Sequence, residues 1–175
     1  MTAGRVFLQR ARYFLGTEYR TQIRLAVNAL PAEAVWLRPN DQSNSVGNLL
    51  LHLNGNVRQW ILGGVAGRST SRHRAGEFAA RTGPSAAVLL ADLEATLDEV
   101  DEVLAGLSDA DLLESRTIQG RDTLVLAAIF HVVEHFSQHL GQIILMVKLQ
   151  APGAINFYDD AGGLAAPLWE AHVKR

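Results

Sequence analysis

The sequence predicts an all-α protein, a four-helix bundle in a single domain spanning residues 1–175. Three observations carry this expectation. Leu and Ala dominate, and runs of β-branched residues are short. Four stretches repeat their apolar residues at helical spacing. Hydrophobic residues make up 48% of the 175-residue chain and charged residues only 19%, enough apolar material for one packed core.

The first helix is read from Arg5 to Leu30. Val6, Leu8, Phe14, Leu15, Ile23, Ala26, Val27 and Leu30 form its apolar side, and Arg10, Arg12, Glu18, Arg20 and Arg24 its solvated side. Pro31, Pro39, Asn40, Asp41 and Ser43 make residues 31–44 a connecting loop. Ser45 is the expected N-cap of a second helix, which Gly63 and Gly64 end. Residues 65–83 are rich in Gly, Ser and Arg and are expected to be a long loop. Pro84 and Ser85 open a third helix that reaches Leu107, with Asp92, Glu94, Asp98, Glu99, Asp101 and Glu102 facing water. A polar connection follows, with a short extended piece at Ser115–Ile118. The fourth helix, Leu124–Gln150, stops before Pro152 and Gly153. The tail beyond it is expected to pack as loops and a short terminal turn.

Composition excludes several function classes. A net charge of −2 argues against a nucleic-acid partner. The absence of cysteine removes disulfides, thiolate nucleophiles and cysteine-based metal sites. Any metal must be held by His, Asp or Glu. No apolar run approaches the roughly 18–20 residues of a membrane span. The N-terminus intersperses arginines among apolar residues and has no secretory h-region, so the expected location is the cytoplasm.

The chemistry lies in the histidines. On a wheel of the second helix, Ser45, Asn48, His52, Asn56 and Gln59 share one sector that carries no charged residue. On the fourth helix His131, His135 and His139 stand at i, i+4 and i+8, with Gln138 and Gln142 beside them. The rest of that helix is so apolar that burial nearly all round is expected, which turns the polar stripe into a cavity. Histidines four apart on one face form a bidentate clamp for a transition metal. His52 is the candidate third nitrogen from a facing helix. Core histidines satisfied by Gln138, Gln142 and Asn56 are the competing reading. His73 and His172 are expected in solvent.

The segments SVGNLLLHLNGNVRQWI (45–61) and HVVEHFSQHLGQI (131–143) resemble those of the DinB-like superfamily, metal-binding four-helix-bundle proteins that include thiol-dependent transferases. The loop WLRPNDQSNSVGNLL also fits, and the likeness spans about residues 5–150. It implies an up-down-down-up helix order and a homodimer. Carried over on the register of HLGQI, it implies metal ligands His52, His135 and His139. His131, Asn48, Asn56, Gln59, Gln138 and Gln142 are then left as cavity-wall or supporting residues. Leu140 stands where an arginine often precedes the glycine, a departure that bears on electrostatics or substrate.

Three neutral imidazoles with no carboxylate favour an anion such as a thiolate at the metal. The implied activity is a zinc- or nickel-dependent transferase acting on a small-molecule substrate with a low-molecular-weight thiol as co-substrate. A hydrolase using metal-bound hydroxide and a non-catalytic metal-binding protein are the alternatives. No catalytic residue is assigned. Glu134 lies about 100° from His135 on the wheel and reads as a surface carboxylate. Arg68, Arg72 or Arg74 at the mouth of an open site would point to an enzyme.

Overall fold

The structure, a computed structural model, describes residues 1–173. The last two positions of the expected domain lie outside the described residues. The chain is mostly helical. The first rod joins α1 (Ala3–Tyr13) and α2 (Arg20–Asn28) through a π-helical stretch, Phe14–Tyr19. The second is α3 (Val46–Val57), prolonged by a π-helical stretch over Arg58–Val65. The third and fourth are α5 (Ala86–Gly106) and α6 (Val125–Gln150). Around one core α3 packs on α5 and α6, and the first rod also packs on α5 and α6. Leu53, Val57, Leu93, Leu97, Ile129, Val132 and Phe136 are buried in that core.

The helix starts follow local chemistry. Thr2, Ser45 and Ser85 each accept a backbone N–H of the first turn. At Ser45 the cap is reciprocal: the Asn48 N–H donates to Ser45 Oγ, and Asn48 Oδ1 accepts the Ser45 N–H at 3.0 Å.

Several expectations need correcting. Residues 65–83 are not all loop, because Arg74–Ala79 forms a short helix, α4. Residues 31–44 contain a 3₁₀ turn, Ala32–Trp36. The extended piece Ser115–Ile118 (β1) is one arm of an antiparallel hairpin with Arg121–Leu124 (β2), so Leu124 belongs to a strand and α6 begins one residue later. In the tail, Tyr158–Asp159 (β3) pairs with Ala166–Pro167 (β4), and Trp169 is buried. The acidic side of α5 does not simply face water. Arg12 makes a two-pronged ion pair with Asp101 at 2.7 and 2.8 Å, Arg20 pairs with Asp98, and Arg24 with Glu94 at 3.2 Å. Two faces each solvated in isolation were thus brought together by packing.

The expected all-round burial of α6 also fails. Phe130 is 58% exposed, Leu145 58% and Leu149 64%, because the neighbouring rods cover only one side of the helix. Among the described residues no helix is long and apolar enough to cross a membrane.

The hairpin is seated by Gly64, where a Cβ would meet the Ile118 side chain at 2.4 and 2.7 Å. Gly141, within α6, has open space at the same position. Gly141→Ala should therefore raise stability by about 1 kcal/mol through helix propensity. Gly64→Ala should lower it, since overpacking costs about 1–3 kcal/mol. Urea denaturation of the two variants beside the parent checks both signs.

Candidate metal centre

Three of the six histidines converge. His52 on α3 and His135 and His139 on α6 point their Nε2 atoms at one another, His52 to His135 at 3.0 Å and His139 to His135 at 3.2 Å. His135 and His139 are one helical turn apart, so they share a face by construction. His52 reaches them because its uncharged sector of α3 turns inward: Asn48, His52 and Asn56 are all buried.

Each outer nitrogen has its own support. His52 Nδ1 lies 2.8 Å from Glu77 Oε2. His139 Nδ1 lies 2.8 Å from Gln142 Oε1. Arg72 Nη2 also lies 3.0 Å from His52 Nδ1 but has Glu77 Oε2 as its acceptor at 2.9 Å, so the carboxylate favours a proton on His52 Nδ1. The Gln142 oxygen does the same for His139, and each Nε2 lone pair is turned inward. His135 Nδ1 is buried without a partner. Burial holds the His135 imidazolium down to a pKa of about 3, helped by the like charges of His139 and His52. Burial lowers His52 as well, against the raising effect of Glu77. His52 and His135 are therefore neutral at pH 7.

The geometry fits a cation. Two imidazole nitrogens bound to one zinc at about 2.0–2.1 Å stand roughly 3–3.4 Å apart for bond angles between a right angle and the tetrahedral one. The His52–His135 and His139–His135 separations lie in that range. One proton on His135 cannot satisfy two inward lone pairs at once, whereas a single cation satisfies all three.

Glu77 and Arg72 enter from the segment read as a loop. Asn48 donates through Nδ2 to the carbonyls of Glu77 (2.7 Å) and Ala80 (2.9 Å), and Arg38 donates to those of Phe78 (2.7 Å) and Ala80 (3.0 Å). These bonds stitch the C-terminal end of α4 onto the start of α3. Glu77 then crosses α3 at Gly55, where a Cβ would lie 2.2 Å from Glu77 Oε1. Its carboxylate accepts from Arg72 at 2.7 and 2.9 Å. Burial alone would raise the Glu77 carboxyl, but hydrogen bonds from Arg72 and His52 hold it below the usual carboxylate range. Phe78 covers the His52 ring at 4.5 Å between centroids. The sequence signal for Glu77 is slight: it is the sole carboxylate in residues 65–83.

The remaining expected residues divide. His131 packs against Trp60 at a tilt, 4.2 Å between ring centroids, outside the convergent three, and borders a cleft of about 350 Å³ that also touches His52, Asn56 and His135. Gln59 accepts from Arg72 (2.9 Å) and from Gln119 (2.7 Å). Asn48 is a clamp for α4 and does not border that cleft. Gln138 is not brought to the cluster. It is exposed and donates to Glu134, because its position on the helix turns it toward the outer face. Of the three loop arginines only Arg74 stands at the cleft as a cation without a carboxylate partner, since Arg72 pairs with Glu77 and Arg68 with Glu99. His73 and His172 are exposed and are not among the convergent three.

The Arg72–Glu77 pair is nearly buried, at 7% and 10% side-chain exposure. Glu77→Ala, which strands the Arg72 guanidinium, should cost about 3 kcal/mol or more in urea denaturation. Replacing both residues (Arg72→Met, Glu77→Leu) should cost less than the single change.

Residues 2–155 match the family described as "Protein of unknown function (DUF1572)". Among solved structures the chain is similar to a DinB-like protein from Bacillus cereus ATCC 10987. The two share 19% identity with a TM-score of 0.64, over 84% of this chain and 94% of that one. No curated protein sequence matches the chain. The chain belongs to the DUF1572 family and carries the DinB-like helical fold.

Proposed function

We propose that the protein is a divalent-metal-dependent transferase in which His52, His135 and His139 hold the metal, zinc or nickel, and a small thiol is activated for transfer to or from an electrophile. The convergence of three imidazole nitrogens beside an open cleft carries this reading. Three protein ligands leave coordination positions free, and a closed structural zinc site would need four. When bound, the metal would supply a positive charge that lowers the pKa of a thiol or water beside it.

The chain's own groups have separable tasks. Glu77 and Gln142 hold the Nδ1 protons of His52 and His139 and so keep both Nε2 lone pairs turned inward. Arg72 holds Glu77 ionised and in place. Trp60 and His131 form an aromatic wall of the cleft. No Asp or Glu lines that cleft, and Glu134 is exposed and paired with Gln138. A thiol is far more acidic than water and needs less help to ionise in a cleft without a carboxylate base, so the transferase reading is favoured over hydrolysis.

The up-down-down-up order of a four-helix bundle, a cytoplasmic location and a homodimer belong to the same proposal. The exposed Phe130, Leu145 and Leu149 offer an apolar face to a second copy.

His52→Ala, His135→Ala and His139→Ala should each lower bound metal, read by elemental analysis, to a small fraction of the parent's. His131→Ala should keep most of it. Added Zn²⁺ should raise the melting temperature of the parent, because a ligand at 100 times its Kd adds about 2.7 kcal/mol to the native state. A melting temperature that ignores both zinc and chelator would overturn the metal site. With metal confirmed, thiol loss across a panel of electrophiles would separate transfer from simple binding.

A further inference from the structure

The cleft beside the histidines carries charge that the metal site does not use. Among the described residues seven other arginines are neutralised. Arg12, Arg20, Arg24, Arg58, Arg68, Arg72 and Arg116 each pair with a carboxylate. Arg74 and Arg121 border the cleft from opposite sources, the start of α4 and the hairpin strand β2. Neither forms an ion pair among the described residues. Arg74 lies over the Phe78 ring at 4.9 Å, which steadies it without neutralising it. Asn56, buried on the same cleft, keeps an Oδ1 with no hydrogen-bond partner.

We infer that this cleft is an anion subsite, in which Arg74 and Arg121 receive a carboxylate, phosphonate or sulfonate on a small substrate whose apolar part lies against Trp60 and His131. The inference rests on the reading above only for which end of the substrate meets the histidines. Two unpaired guanidinium groups over a cleft with no acidic side chain form a positive funnel. A guanidinium fork matches a planar or tetrahedral oxyanion. A cleft of about 350 Å³ is at the small end of ligand sites, which suits a small molecule. The aromatic wall gives an apolar ring or chain a place to pack.

The test uses the metal-free protein, so that the anion cannot bind through a metal and the outcome is independent of transferase activity. Phenylphosphonate and benzoate are titrated by calorimetry, with benzyl alcohol as the uncharged counterpart. The expected result is one-site binding of both anions, weakened about tenfold by Arg74→Gln or by Arg121→Gln and more by the two together. Benzyl alcohol should bind more weakly than either anion, and Arg5→Gln, at the far N-terminal end of the chain, should change nothing. Circular dichroism checks that each variant is folded, which the exposure of both arginines favours. No saturable anion binding, equal binding by the double variant, or equal binding of benzyl alcohol would each overturn the subsite. Loss of metal binding with the subsite intact would overturn the transferase reading instead.

Discussion

The contact on which the site depends joins Glu77 to His52. An imidazole buried in an apolar core is neutral, and a neutral imidazole has two tautomers, of which one turns a lone pair inward. A carboxylate held ionised by Arg72 selects that tautomer for His52. It can do so because Gly55 lets it cross α3 at a distance no Cβ would permit. Remove the carboxylate and the ring is free to turn or to switch its proton. The inward nitrogen is then no longer assured.

That contact in turn rests on backbone chemistry some distance away. Asn48 divides its carboxamide between two tasks: the oxygen caps α3 and the nitrogen binds two carbonyls at the end of α4. Arg38 ties Asn48 Oδ1 to the carbonyls of Phe78 and Ala80. A six-residue helix has little stability of its own. Here buried side chains satisfy its terminal carbonyls, and its position against α3 is over-determined. On the other side of the cleft the hairpin, seated at Gly64, supplies Gln119 and Arg121. The histidines thus belong to the rigid rods, whereas the groups that orient them and shape the approach come from connecting segments.

This division explains what was legible. Helical period and capping residues located all four rods, and the starts at Ser45 and Ser85 agree with the structure. Four-residue spacing placed His135 and His139 on one face of α6, and the uncharged sector of α3 marked His52 as interior. The fold of α4, by contrast, was hidden in a stretch rich in Gly, Ser and Arg. Its helix is held by contacts to residues 30 to 40 positions away in sequence, which no local pattern records. The misreading of α6 has a different origin. Apolar composition says that a helix is able to be buried, not how many neighbours are present to bury it.

The helical class, the rods and the pairing of His135 with His139 were readable along the chain, because each follows from interactions within a few residues. That His52 meets that pair was settled by packing. It alone brought Glu77, Arg72, Gln119 and Arg121 to the same place, and left Gln138 outside. Those outcomes depend on side chains tens of residues apart reaching hydrogen-bond distance, and the energy that selects them arises only when the rods and their connections pack.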